Sequence, residues 1–213
     1  MSNVANLRLE YKLKSLDISD VVDDPIQQFR LWFNEALSSE IREPNAMVLA
    51  TADFNAIPNA RVVLLKGFNE KGFVFYTNYE SAKGRELVEN PFAALVFNWL
   101  ELERQVRIVG EVHKTSPEES AEYFKSRPKS SQIGAWASPQ SRVIGSRQVI
   151  ESNEAFLTEE YHNSFELPCP EYWGGFRVVP KQIEFWQGRS SRLHDRILYR
   201  LSDGSWTIER LAP

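Results

Sequence analysis

The chain has 213 residues, a formal net charge of −4, 42% hydrophobic and 25% charged residues. That length supports one domain with a full core, and the acidic balance argues against general nucleic-acid binding, so any anion site has to be local. Cys169 is the only cysteine and lies between Pro168 and Pro170, which excludes an internal disulfide; no CxxC or HxxH spacing offers a zinc site. The first residues lack the apolar core of a signal peptide and no stretch reaches transmembrane length, so a cytoplasmic location is the default expectation.

Residues 1–20 have no clear period and read as a mobile N-terminal segment ahead of a single domain over 21–213. Asp24-Pro25 predicts an N-cap with proline at the first helical position. Ile26, Phe29, Trp32, Phe33, Ala36 and Leu37 then recur at helical spacing, predicting an amphipathic helix that ends before Pro44. From Ala46 the runs "AMVLATAD", "ARVVLLKGF" and "GFVFYTN" are β-rich and separated by turn-prone residues. "SAKGRELVEN" predicts a short helix with Ser81 as its cap and Pro91 as its stop. Strands follow at "FAALVFNW" and "RQVRIVGEVHKT".

The middle is helical, through "SPEESAEYFKSR" and "SRQVIESNEAFLTEEYH". The end returns to strands in "GGFRVVP", "KQIEFWQG", "RLHDRILYRLS" and "WTIERLA", with Asp203-Gly204 as a hairpin turn. About eight strands joined mostly by short loops imply a mainly β, α+β fold: an antiparallel barrel with peripheral helices. A doubly wound parallel sheet fits less well, because most neighbouring strands lack a crossover helix.

No GxGxxG follows a strand, and neither a GxxxxGK[ST] nor a GxSxG motif occurs. His113 and His162 stand in unremarkable contexts and read as surface residues. With no protein nucleophile or metal cluster in view, an organic cofactor becomes the natural suspect.

"WQGRSSRLHDR" concentrates cations in this acidic chain. Read as a strand, it puts Arg192, His194 and Arg196 on one face and Leu193 and Asp195 on the other. The two arginines would be about 13 Å apart, which suits two charged groups better than one phosphate; a solvated basic face paired with acids is the alternative. Arg61 and Lys66 bound an apolar run and share a face only if a bulge or strand end intervenes. Ser81 and Lys83 stand at a predicted helix N-terminus, which favours phosphate, although Ser81 could be only a cap. Tyr123, Arg127 and Ser131 recur at i, i+4 and i+8, with Pro128 expected to break the helix between them. Gln105 offers a two-way amide between apolar strand neighbours.

Through "RVVLLK", "FYTNYES-K", "LERQVR", "YFKSRP-SSQIGAW", "WGGFRV", "QIEFWQG" and "RLHDR", from "LRLEY" to the terminal "ERLAP", the chain resembles the pyridoxamine (pyridoxine) 5′-phosphate oxidases. The resemblance implies an FMN-binding split β-barrel acting as a homodimer with interface active sites. It further implies oxidation of pyridoxamine or pyridoxine 5′-phosphate to pyridoxal 5′-phosphate, with O2 reduced to hydrogen peroxide. Around FMN it places Arg61, Val62, Val63, Leu64, Leu65, Lys66, Tyr76, Thr77, Ser81 and Lys83. Gln105, Gln140, Ser141, Trp186 and Arg196 match further FMN-contacting positions.

Lys66, Tyr123, Arg127 and Ser131 match the residues holding the substrate phosphate, and Arg192 and His194 those over the substrate ring. Arg192 would orient substrate C4′ toward the flavin, with His194 binding and orienting. Arg8 and Tyr11 match a mobile segment that covers the site. Arg189 matches no motif position and reads as a surface charge. Members often carry arginine where this chain has Ala82, a lost phosphate contact that Arg85 could offset, and a second basic residue where it has Leu9. The alternative is a flavin- or pyridoxal-phosphate-binding barrel without significant turnover.

Overall fold

A computed structural model describes residues 6, 7 and 9–213. In chain order the elements are α1 (Pro25–Leu37), β1 (Ala46–Ala52), β2 (Pro58–Leu64), β3 (Gly67–Asn69), β4 (Gly72–Asn78), α2 (Ala82–Glu89), β5 (Phe92–Trp99) and β6 (Arg104–Lys114). There follow α3 (Pro117–Ser126), α4 (Lys129–Ala137), α5 (Gln148–Glu160), β7 (Trp173–Gln187), β8 (Asp195–Ser202) and β9 (Ser205–Leu211). The strands hydrogen-bond in the order β2-β1-β5-β6-β7-β4-β3, with β8 on β7 and β9 on β8. Contacts divide the chain into two compact units. The first is Met1–Leu49, Ala94–Gly110 and Pro180–Pro213; the second is Ala50–Ala93 and Glu111–Val179.

In the first unit, α1 starts where the sequence predicts. The Asp24 carboxylate accepts hydrogen bonds from the Ile26 and Gln27 amides at 2.7 and 3.3 Å, satisfying donors that the first turn leaves open. Ile26, Phe29, Trp32 and Ala36 bury the apolar stripe, while Leu37 is 56% exposed and lies off it. Phe29 packs on Phe97 at 5.0 Å between ring centroids, and Trp32 meets the Phe185 edge at 5.2 Å. The buried Arg104 guanidinium stacks 4.1 Å over Trp32. Antiparallel β8 and β9 close at Ser202↔Ser205, and the turn between them holds Asp203 and Gly204 at φ 50° and 80°. That left-handed pair is what a two-residue hairpin demands.

In the second unit, antiparallel β4 is flanked by β3 and by the first half of β7, in register from Phe73↔Val178 to Asn78↔Trp173. Six of its seven residues are buried, as for a strand covered on both faces. Phe124, Ile133, Leu167 and Trp173 form a second apolar cluster with α3 and α4. Those two helices break at Pro128, as its missing N–H requires. Gly84 sits on the Tyr79 carbonyl so closely that a Cβ would lie 2.1 Å from the oxygen.

Two expectations change. β7 is a single strand of 15 residues running through Pro180, not two runs. Arg192 to His194 are not strand: Ser190–Arg192 forms a 3-10 turn and β8 begins only at Asp195. The alternating-face reading of "RLHDR", with its 13 Å spacing, is therefore replaced by a turn in which Ser191 and Arg192 both take left-handed φ, 57° and 62°.

Candidate functional site

The second unit carries a cavity of about 500 Å³ lined by Arg61, Val62, Val63, Leu64, Lys66, Tyr76, Thr77, Lys83, Tyr123, Arg127, Pro128, Ser131, Gln140 and Trp173. Its volume lies in the range of small-molecule sites. Arg61 and Lys66 share it because β2 ends at Leu64, between them. Lys66 then spends its main-chain amide on the Val74 carbonyl at 2.8 Å. Of the expected apolar positions, Leu65 is buried in the core and does not line this cavity.

Lys83 forms one cationic pole of the cavity. Its ammonium donates to Gln140 Oε1 at 2.9 Å and to the Thr77 hydroxyl at 3.2 Å. The Thr77 hydroxyl itself donates to Gln140 Oε1 at 3.1 Å. Burial and then the nearby Arg61 charge depress the Lys83 pKa, against a smaller opposing effect of Glu86. Arg61 is bound to Thr51 and Glu86 at 2.5 and 3.0 Å. Ser81 is fully buried; its hydroxyl donates to the Asn78 carbonyl, accepts the Gly84 amide as the α2 cap, and also accepts from Lys83 Nζ at 3.4 Å. Arg85 turns to the Glu80 carbonyl, and the offset for Ala82 expected of it is not seen in this cavity lining. Ser141, next to Gln140, has φ 67°.

Arg127 forms the other pole. It stacks 4.7 Å over Trp173 and 5.6 Å from Phe124. Its Nη1 is buried without a hydrogen-bond partner among the described residues, and burial depresses its pKa. An unsatisfied buried guanidinium nitrogen is costly and suits an anionic ligand. Tyr76 and Tyr123 stack at 3.9 Å between centroids; burial, then Glu119, pushes the Tyr76 phenol up to about 12, so it stays a neutral donor. Tyr123, Arg127 and Ser131 thus come together although Pro128 separates their helices.

The first unit carries a second cluster. Leu7, Leu9, Glu10, Tyr11, Arg189, Ser191, Arg192 and His194 line a cavity of about 620 Å³. The His194 ring lies 4.6 Å from Trp186 and 5.9 Å from Tyr11, between centroids. Tyr11 seats on Gly188, where a Cβ would come within 2.7 Å of its ring. Burial and then the Arg192 charge lower the His194 pKa, against Asp195. Arg196 is committed to Glu184 and to the Ala212 carbonyl. Gln105 is half-buried on β6, and Arg8 lies outside the described residues.

Arg189 is not the idle surface charge expected. Its guanidinium pairs with Asp195 at 2.9 Å and its amide donates to His194 Nδ1 at 3.1 Å. Asp195 also accepts from Leu16 N and Arg210 Nη1, both at 3.0 Å. Arg104, Gln187 and Glu103 were likewise missed. Arg104 donates to Gln187, and the Glu103 carbonyl accepts the Gly188 amide. The Glu103 carboxylate takes the Lys12 and Leu13 amides. Only Asp195, an acid set among cations, left any signal in the sequence.

Residues 33–154 match the family described as "Pyridoxamine 5'-phosphate oxidase". The chain belongs to this family. Residues 173–213 match the "Pyridoxine 5'-phosphate oxidase C-terminal dimerisation region". The chain is 57% identical to the pyridoxine/pyridoxamine 5′-phosphate oxidase of Salinibacter ruber, with 100% of both chains covered. It is 58% identical to that of Paraburkholderia phymatum, again over 100% of each. The solved structure of PhzG from Burkholderia lata, in complex with tetrahydrophenazine-1-carboxylic acid, superposes with a TM-score of 0.87. That match has 29% identity and covers 94% of this chain and 100% of the other. An FMN-binding protein from Nostoc punctiforme related to pyridoxamine 5′-phosphate oxidase has a TM-score of 0.69 at 18% identity, over 87% and 97% of the two chains, a likeness of fold. The expected fold class, an antiparallel split barrel with peripheral helices, is that of these relatives. Among the described residues no helix is long and apolar enough to cross a membrane.

Proposed function

We propose that this chain is an FMN-dependent oxidase of pyridoxamine and pyridoxine 5′-phosphates. It produces pyridoxal 5′-phosphate while O2 becomes hydrogen peroxide. It works as a cytoplasmic homodimer whose active sites form where two copies meet. Family membership over the whole chain supports the reaction. The observation that carries the site is the pair of cationic poles, Lys83 and Arg127, in one cavity of the second unit.

The residues fit FMN and a phosphorylated substrate. Lys83 with Thr77 and Gln140 supplies clustered polar groups around a cation that has no carboxylate hydrogen-bond partner among the described residues, as a phosphate pole requires. Arg127 Nη1, which has no hydrogen-bond partner among the described residues, supplies the second pole. FMN, when bound, would supply two-electron acceptor chemistry toward substrate C4′, with O2 as the final acceptor.

Arg61 and Lys83, with Tyr76, Thr77, Ser141 and the Val62–Leu64 run, hold the cofactor, chiefly at its phosphate end. Gln105, Trp186 and Arg196 match further cofactor-contacting positions of the family, some of them reaching from the partner subunit. Lys66, Tyr123, Arg127 and Ser131 hold the substrate phosphate. Arg192 and His194 orient the substrate ring, and Tyr11 covers it. Fixing C4′ against the acceptor makes positioning a large part of the rate enhancement.

The test is anaerobic. Purified protein loaded with FMN should bleach when pyridoxine 5′-phosphate is added, then recover its yellow spectrum in air as pyridoxal 5′-phosphate appears. A yellow protein that never bleaches would leave fold and cofactor standing and remove the substrate. A protein that binds pyridoxal 5′-phosphate without turnover would favour a carrier.

A further inference from the structure

We propose that the main-chain amide of Arg189 locks His194 as the neutral Nε2–H tautomer, making His194 a hydrogen-bond donor to the ligand and Arg189 its positioning residue. The kinetic arm of the test rests on the functional reading above; the structural arm does not.

An amide N–H can only donate. At 3.1 Å from Arg189 N, His194 Nδ1 has to be the acceptor and carries no proton, so the neutral ring keeps its proton on Nε2. A second proton on Nδ1 would set two donors against each other. The amide is itself held in place. The Arg189 guanidinium is tied to Asp195 at 2.9 Å, and Asp195 is anchored by Leu16 N and Arg210. The ring is flanked by Trp186 and Tyr11, which obstruct the half-turn that would exchange its nitrogens.

Among the described residues the charges around the ring are Glu10, Arg189, Arg192 and Asp195; Glu10 pairs with Lys12, and the Asp195 carboxylate is shared by Arg189 and Arg210. Nε2–H is then the polar group His194 can offer to a ligand. The group it meets must be an acceptor, an oxygen or nitrogen lone pair on the substrate ring. A proton-abstracting role through Nε2 is excluded in this state.

Uniformly ¹⁵N-histidine-labelled, FMN-loaded protein would be examined by long-range ¹H–¹⁵N spectroscopy, with His194→Gln assigning one of the three histidines. The expected spectrum has an unprotonated Nδ1 and a protonated Nε2 for His194 at neutral pH. In Arg189→Ala the two nitrogens should move toward a tautomer mixture, with KM for pyridoxine 5′-phosphate raised about ten-fold and kcat little changed. His194→Gln, whose amide nitrogen can stand in for Nε2, should retain more activity than His194→Asn, which mimics Nδ1. A protonated Nδ1 in the unmodified protein, or Asn outperforming Gln, overturns the proposal. A protein inert toward pyridoxine 5′-phosphate would remove the functional reading while leaving the tautomer result to stand or fall by itself.

Discussion

Arg196 grips Glu184 with both edges of its fork, Nε to Oε1 at 2.8 Å and Nη2 to Oε2 at 3.2 Å. Glu184 is 6% exposed, so its charge needs that partner. Arg107 stands 3.4 Å away as a weaker second partner. Arg196→Ala should therefore cost about 2 kcal/mol of stability in urea unfolding, the scale of a charged hydrogen bond. Glu184→Gln should cost less, because it still accepts one bond.

Arg127 presents the opposite case. Its buried Nη1 lacks a hydrogen-bond partner among the described residues, so the ligand-free fold bears a desolvation penalty. Arg127→Met should raise the stability of the ligand-free protein by about 1 kcal/mol while weakening substrate phosphate binding roughly a hundred-fold. Thermal unfolding and titration with pyridoxine 5′-phosphate would measure the two effects. Unchanged binding would contradict the assignment of this arginine to a ligand.

Lys83 makes stability depend on pH. Its pKa is depressed in the fold by burial and Arg61, so the unfolded chain binds more protons between the folded value and the ordinary lysine range. Stability of the FMN-free protein should rise with pH through that window. Lys83→Met should flatten the rise and lower FMN affinity at least ten-fold. Bound phosphate should also remove it, by restoring a partner for the charge.

Asp195 works in the other direction. Burial alone would raise its pKa, but the Leu16 amide, Arg210 and Arg189 outweigh it and hold the carboxyl below the usual aspartate range. The stability it contributes is full above the unfolded aspartate pKa and is lost as pH falls through the folded value. Residues 10–16 should then loosen in acid, read as faster hydrogen exchange of the Leu16 amide that donates to Asp195. Asp195→Asn should exchange quickly at neutral pH as well.

Glycines 84 and 134 should respond oppositely to alanine. At Gly84 a Cβ meets the Tyr79 carbonyl at 2.1 Å, whereas at Gly134, inside α4, nothing lies within 4 Å. Gly84→Ala should destabilise by about 3 kcal/mol, as overpacking against backbone does. Gly134→Ala should stabilise by about 0.5–1 kcal/mol through helix propensity. Paired melting curves would settle both.

Local chemistry made much of this legible. Asp24-Pro25 announced α1, and Asp203-Gly204 announced the last hairpin, because caps and tight turns use few residues with restricted geometry. The meeting of Tyr123, Arg127 and Ser131 could be read as a spacing even across Pro128. The Arg189–Asp195 turn could not. Two successive left-handed residues, Ser191 and Arg192, occur there without a glycine to mark them. What holds the turn comes from Leu16 and Arg210, 179 and 15 positions from Asp195. The role of Arg189 likewise exists only once the chain has folded back on itself.

Gly188 carries a consequence for how such sequences can vary. Its backbone is not among the positive-φ glycines, so an ordinary L residue could adopt its conformation; the Tyr11 ring is what forbids one. The choice of residue 188 is thus dictated from 177 positions away. Substitutions at these two sites should be tolerated as matched pairs, a smaller side chain at 11 permitting a larger one at 188, and the double change should cost less than the sum of its parts.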